Sequence, residues 1–260
     1  MIRNWPRLLA PTGVGVGFLL LWEALVRAFH VPFYIVPSPL LVVHTLVQDA
    51  PLLLGSLLVT LHITALALLL AVTVGVLVAF LFVQSRLIEM SLFPYAVLLQ
   101  VTPIVAIAPL LLIYLSPQNA VLVCAFLVAF FPILSNTALG LASVDHGLLD
   151  LFDLYRASAW DRLIYLRAPA ALPQFLTGLR IAGGLALIGA VVAELAAGAA
   201  GQGTGLAFRI VEAGFRLDIP RMFGALALLS LAGMAIYGAL SLLSSLALKD
   251  WHESARERGA

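Results

Sequence analysis

Charged side chains are scarce in this sequence: 14 Lys and Arg with 13 Asp and Glu make up 10% of 260 residues, against about 25% in soluble domains. A soluble fold of this length needs a hydrated surface, and so few charges cannot cover one. A soluble enzyme and a disordered chain are thereby excluded. Net charge is only +1, so no general attraction to nucleic acid follows. Cysteine is reduced to Cys124, inside an apolar run, which excludes an intramolecular disulfide and a multi-cysteine metal site. Also missing are a Gly-rich phosphate loop followed by Lys-Ser/Thr, a paired-histidine zinc motif and a Gly-x-Ser-x-Gly elbow. No internal repeat is visible.

What is abundant is apolar: 63% of residues are hydrophobic and mean hydropathy is +1.10. At about 20 residues per crossing, this length holds roughly six membrane helices. The expected fold is an all-α membrane protein with spans at 8–29, 56–83, 92–115, 119–142, 176–198 and 222–247. Arg3 and Arg7 precede the first apolar stretch, but no small-residue cleavage site follows, so it reads as an uncleaved span. Near its far end Glu23 and Arg27 can pair at i,i+4.

Basic residues orient the chain. One side carries Arg3, Arg7, Arg86, Arg156, Arg162, Arg167, Arg180, Lys249, Arg256 and Arg258; the other carries Arg27, Arg209, Arg216 and Arg221. That asymmetry predicts both termini and the 143–175 connection in the cytoplasm. The chain forms one transmembrane domain, and any large catalytic machinery belongs to another polypeptide.

Polar groups inside spans are few. Glu194 is the one acid well inside a span, and it is either a functional carboxylate or a hydrogen bonder between helices. His62, flanked by Thr60 and Thr64, reads as a neutral interhelical hydrogen bonder. Gln100, Thr102, Ser135, Asn136 and Thr137 are candidates for lining a path. A stand-alone secondary transporter, the alternative reading, needs ion-coupling carboxylates and repeat symmetry; one Glu without a repeat argues against it.

The 143–175 connection has periodic structure. A first short helix, about 147–155, presents Leu148, Leu151, Phe152 and Tyr155 on one face. Ser158 can cap a second, running to about Arg167 and ending ahead of Pro169. Its face of Trp160, Leu163, Ile164 and Arg167 suits either a partner's groove or membrane headgroups. In the next connection, Gly201-Gln-Gly-Thr-Gly205 reads as a chain reversal. The amphipathic segment 204–217 sets Arg209, Glu212 and Arg216 on one face and Phe208, Val211 and Phe215 on the other.

The 143–175 connection resembles the cytoplasmic coupling loop of permease subunits of ATP-binding cassette importers, in the branch for nitrate, sulfonates, taurine and pyrimidines. That loop reads Glu-Ala-Ala, three residues, Gly, nine residues, Ile-x-Leu-Pro. Here Asp150 takes the Glu position, Leu151 and Phe152 the alanines, Arg156 the glycine, and Leu166 to Pro169 the close. Flanking wording is nearer: Ala157-Ser-Ala-Trp160, Pro169-Ala-Ala-Leu-Pro173, Gly178-Leu-Arg-Ile-Ala182, Val36-Pro-Ser-Pro39, Thr102 to Leu110, and Ala193-Glu194 with Gly203 and Gly205.

The resemblance implies a type I importer permease fold in the bacterial inner membrane, with six spans and both termini cytoplasmic. It implies a second permease subunit, expected by the same resemblance to be an identical copy, a cytoplasmic ATPase dimer that binds ATP and magnesium, and a periplasmic solute-binding protein. No cofactor is expected in this chain. Asp150, Asp153, Tyr155, Arg156, Ser158, Trp160, Arg162, Leu163 and Pro169 would serve ATPase coupling; Arg209, Glu212 and Arg216 would meet the binding protein. With Arg156 where the family has glycine, a left-handed turn would cost roughly 1 kcal/mol, unless Arg156 pairs with Asp153 and the turn differs.

Overall fold

The computed structural model describes residues 5–198 and 204–249, with side chains from residue 9. Arg3, Arg256, Arg258, the Arg7 side chain and the 201–203 part of the expected reversal lie outside the described residues. Every regular element described is helical. In chain order they are α1 (Trp5–Ala28), α2 (Pro39–Gln48), α3 (Ala50–Gln84), α4 (Arg86–Val101), α5 (Ile104–Tyr114), α6 (Pro117–Ala142), α7 (His146–Leu154), α8 (Ala159–Arg162), α9 (Ala168–Ala197), α10 (Leu206–Phe215) and α11 (Ile219–Ala247).

The centre of the bundle is α3, α6 and α9, where small residues at the closest approaches are flanked by buried large ones such as Phe82, Ile133 and Leu134. Lipid tails are as apolar as leucine, so helices in a membrane gain by close backbone approach. On α3 the buried seam runs Thr60, Thr64, Ala67, Ala71, Gly75 and Ala79. A Cβ at Gly75 would stand 2.8 Å from Ile133 of α6. The α6–α9 contact is closer still. A Cβ at Gly140 would meet the Ala171 backbone at 2.8 Å, one at Gly178 the Pro132 carbonyl at 2.7 Å, and one at Gly189 the Ala125 Cα at 2.9 Å. As residue numbers fall along α6 they rise along α9, so the two helices run antiparallel. Peripheral α1 joins the rest through Trp22, whose ring centroid lies 5.8 Å from that of Phe223, and through Glu23, which accepts from Arg27 at 2.6 Å and from the Leu40 N–H at 3.2 Å.

Three of the expected spans differ from the observed helices. The segment 92–115 is not one straight helix: α4 and α5 meet at 97°. The cause is Pro103, which disfavours helical backbone at the preceding residue. Thr102 is accordingly extended (φ −73°, ψ 125°), and its hydroxyl donates to the Leu98 carbonyl at 2.6 Å. Among the described residues five helices are long and apolar enough to cross, or six when the bent pair counts as one span.

The second loop helix also does not end ahead of Pro169. Residues 159–197 form one helical rod, interrupted only by a π turn over Leu163–Arg167. The Ala168 N–H donates to the Leu163 carbonyl, and this wider spacing accommodates a proline that would clash with a carbonyl four residues back. Span five thus starts well before residue 176, and the loop is correspondingly shorter. Span two likewise starts at Ala50 rather than 56, after the separate helix α2.

Candidate functional site

The α7–α8 hairpin is built by caps at every end. Asp145 caps α7, accepting from the Gly147 N–H at 2.6 Å. At its other end the Arg156 N–H donates to Asp153 O and the Ala157 N–H to Phe152 O, both at 2.9 Å. This Schellman arrangement needs a left-handed residue after the cap, and Arg156 supplies it with φ +50°. The left-handed turn expected from the resemblance is therefore present here with arginine. Ser158 and Asp161 then form a reciprocal capping box, with Asp161 N–H to Ser158 Oγ at 3.1 Å and Ser158 N–H to Asp161 Oδ2 at 3.2 Å.

Asp153 does not pair with Arg156. It pairs with Arg162 at 2.5 Å, and Arg162 Nε also donates to the Ala157 carbonyl at 3.2 Å. One guanidinium thus ties the two short helices together. Outward from them stand Asp150, Leu154, Tyr155 (78% exposed) and Trp160 (66% exposed). Leu163 does not share that face: it is only 6% exposed and belongs to the core with Phe82 and Leu141. The π turn rotates it inward, so the expected Trp160–Leu163 face is divided between docking surface and core. Pro169 lies half-buried in the first turn of α9.

At the other end of the bundle, Glu194 is buried (5% exposed) where α3, α9 and α10 meet. The Thr60 hydroxyl donates to Glu194 Oε1 at 2.8 Å, and the Ala207 N–H donates to Oε2 at 3.1 Å. Thr60 Oγ1 in turn accepts from the Leu206 N–H at 2.9 Å. The free N–H groups of a helix start carry partial positive charge; here a carboxylate from another helix answers them. Gly205 is required at this point, because a Cβ would run into the Glu194 carboxylate. Glu194 is thus placed as a remote cap of α10, not among the other path candidates.

Ion pairs continue outward from that junction. Glu212 accepts from Arg209 at 2.7 Å and from Arg216 at 2.8 Å. Arg209 also donates to Ser56 at 3.0 Å. The Arg209 guanidinium hydrogen-bonded to Glu212 holds that carboxyl below the usual carboxylate range. Arg221 pairs with Asp49 at 2.6 Å. Helix α10 docks through Leu206, Ile210 and Ala213 against the group containing Leu53 and Ala225, rather than through Phe208, Val211 and Phe215. Of the three candidate binding-protein contacts, Arg209 and Glu212 are largely engaged inward and Arg216 is exposed.

The remaining path candidates do not converge. Gln100 is exposed beside the α4–α5 bend, whereas Ser135 and Asn136 lie half-buried on α6. Asn136 donates to the Pro132 carbonyl at 2.9 Å and lies beside Gly178 of α9. Thr137 is buried, its hydroxyl without a partner among the described residues. His62 makes no interhelical hydrogen bond among the described residues: Thr60 and Thr64 face inward, whereas His62 is exposed and lines a cleft of about 480 Å³ with Gln118, Asn119, Leu58 and Leu66. Sequence reading passed over Gln118 and Asn119, which follow Ser-Pro at a helix start and look like ordinary turn residues.

Comparison with known proteins bears on both ends. The family model described as "Binding-protein-dependent transport system inner membrane component" matches residues 71–257. A "Probable ABC transporter permease protein" of Haemophilus influenzae is 35% identical over 91% of this chain and 96% of its own length. The "Formylaminopyrimidine transport permease protein" of Halalkalibacterium halodurans is 34% identical over 92% and 95%. Among solved structures, one titled "Crystal structure of an amino acid ABC transporter with histidines" shares the fold. It has a TM-score of 0.63 at 20% identity, covering 77% of this chain and 96% of that one.

Proposed function

The chain belongs to the inner-membrane components of binding-protein-dependent transport systems, the permease subunits of ATP-binding cassette importers, and from that premise we propose that the α7–α8 hairpin is its coupling element. A permease of this kind is a multi-span inner-membrane transport subunit and not an enzyme; a separate ATPase hydrolyses ATP, and a binding protein delivers solute.

The observation that carries the proposal is the exposed apolar surface of a capped and ion-paired hairpin. Leu154, Tyr155, Trp160 and Ile164 stand out from helices that caps and the Asp153–Arg162 pair hold rigid. An exposed apolar cluster with aromatic anchors marks a contact surface. Leu163, buried at the root of the hairpin, supplies mechanical continuity: movement of α8 passes through the π turn into α9. Closure of the ATPase pair around ATP and magnesium, held by the partner chain, would push on Trp160 and rotate α9 against α6.

Both termini and the hairpin lie in the cytoplasm, and two copies of this chain enclose the path. The cleft carrying His62, Gln118 and Asn119 opens onto that path near its outer end, because polar groups at membrane depth face a cavity or a partner rather than lipid. Its imidazole and carboxamides, together with a formylaminopyrimidine-named relative, support a small hydrogen-bonding heterocycle as solute. The outer shelf formed by α10, with Arg216 exposed, receives the binding protein.

The test is retention of the ATPase by the hairpin variant. Trp160→Ala should release it from detergent-solubilised complex while permease expression is unchanged. Unaltered retention and unaltered solute-stimulated hydrolysis would withdraw the coupling role. Cysteine at position 48 should be labelled from outside and at position 150 only after permeabilisation; the reverse pattern would overturn the orientation.

A further inference from the structure

We propose that the pocket under the elbow between α3 and the π turn binds a phosphate group, supplied in the membrane by an anionic phospholipid headgroup. The pocket is about 290 Å³ and is lined by Val83, Gln84, Ala159, Arg162, Leu163 and Arg167. It contains two guanidiniums and a carboxamide, and no acid. Arg162 is already paired with Asp153 at 2.5 Å. Arg167 is half-buried and has neither ion pair nor hydrogen bond among the described residues. A partly buried guanidinium without an anion is costly, and an anion from outside the chain resolves that cost.

The backbone explains why both arginines reach one pocket. Five residues apart on an α-helix, they would diverge by about 140° at 3.6 residues per turn. The π turn spanning Leu163–Arg167 has wider rings, closed by the Ala168 N–H to Leu163 O bond, and it reduces that divergence. Such insertions occur chiefly at functional sites. Guanidinium forks match phosphate oxygens in geometry. Gln84 is the last residue of α3, so the pocket lies at the end of an apolar helix of 35 residues, long enough at about 1.5 Å per residue to carry it through the hydrocarbon to the polar face of the membrane. Basic pockets between spans at this depth suit anionic lipid. This site does not depend on the hairpin contacting an ATPase.

The experiment uses the purified full-length permease and its Arg167→Gln, Arg167→Lys and Gln84→Ala variants. Native mass spectrometry reads phosphatidylglycerol retained through purification. Delipidated protein is then titrated with phosphatidylglycerol or phosphatidylcholine in mixed micelles, and separately with inorganic phosphate at constant ionic strength, with thermal unfolding as readout. Wild type should retain phosphatidylglycerol and be stabilised by it over phosphatidylcholine. Arg167→Gln should bind about tenfold more weakly, and Arg167→Lys should fall between. Stabilisation by inorganic phosphate alone, lost in Arg167→Gln, would support the phosphate site and identify free phosphate as its source. Equal behaviour of wild type, Arg167→Gln and Gln84→Ala toward every ligand would overturn it. So would an Arg167→Gln variant that keeps its lipid but loses the ATPase, because the pocket would then receive a partner's acid. Should Arg167→Gln fail to fold, the Arg167→Lys and Gln84→Ala titrations decide alone.

Discussion

Helix α10 at one end and the α7–α8 hairpin at the other are both short, amphipathic and rich in charge, yet they invest that charge in opposite ways. Around α10 nearly every polar group has an internal partner: Glu194 with Thr60 and Ala207, Arg209 with Ser56 and Glu212, Arg221 with Asp49. Its apolar residues Leu206 and Ala213 are buried against neighbouring helices. Among the described residues the hairpin has a single ion pair, Arg162 with Asp153, and buries no residue of α7. Amphipathicity alone thus does not distinguish a helix that completes a core from one that awaits a partner. The difference lies in what each charge can reach.

The sharpest way to break the comparison is to cut α10 loose. Glu194→Ala leaves the Ala207 N–H buried without an acceptor and the Thr60 hydroxyl with only the longer bond to the Ser56 carbonyl at 3.4 Å, each lost bond costing about 1–3 kcal/mol. A loss of roughly 3 kcal/mol in stability, read by thermal unfolding in detergent, is expected. Gly205→Ala should do similar damage by driving a methyl group into the carboxylate. Glu194→Gln should be mild, since the amide oxygen still accepts one bond and Thr60 can rotate. A well-folded Gln variant with no uptake would show instead that Glu194 carries a proton.

On the hairpin the same size of change should appear in binding and not in stability. Trp160→Ala should weaken ATPase association by about 2 kcal/mol, around thirtyfold, with the melting temperature of the free permease unchanged. Leu163→Ala, one turn away and buried, should do the reverse. If both variants behaved alike, the division of this face by the π turn would be wrong.

A third, smaller effect joins the two regions. Both end in Schellman turns with a side chain where glycine is easiest: Arg156 at φ +50° and Leu217 at φ +55°, with His30 at φ +50° after α1. Arg156→Gly and Leu217→Gly should each stabilise by about 1 kcal/mol, by removing the left-handed strain. Arg156 forms no ion pair among the described residues, so the gain should not be offset by a lost contact. Weaker ATPase retention by Arg156→Gly would mean that the guanidinium faces the partner.

Where sequence was legible, periodicity and punctuation carried it. Spans four and six and the Ser158 cap were readable because apolar runs and N-cap residues act locally. The bend at Thr102–Pro103 was readable in principle: a proline within a span restricts the residue before it, but the surrounding apolar run masked the signal. Elsewhere tertiary contact decided. Whether Glu194 lines a path or caps a helix depends on Thr60, 134 positions away, and no local pattern reports such a meeting. Leu163 likewise looked like part of a docking face until the π turn, which no residue type announces, rotated it into the core.

The smallest effect should be a pH dependence that separates the two ends. Hydrogen bonding from Arg209, then the charges of Arg209, Arg216 and Arg221, lower the Glu212 carboxyl below its ordinary range. A group with a depressed folded value binds its proton more tightly in the unfolded chain, so it contributes stability above the unfolded value and loses it as pH falls through the folded one. Acidification from neutral pH should therefore loosen the α10 region below the ordinary glutamate range, near 4.3. Hydrogen exchange of the Leu206–Phe215 amides should report that opening, and Glu212→Gln should show faster exchange already at neutral pH with little further change on acidification. The α7 amides serve as the internal reference. Acid-induced opening of α10 that persists unchanged in Glu212→Gln would show that Glu212 is not its cause.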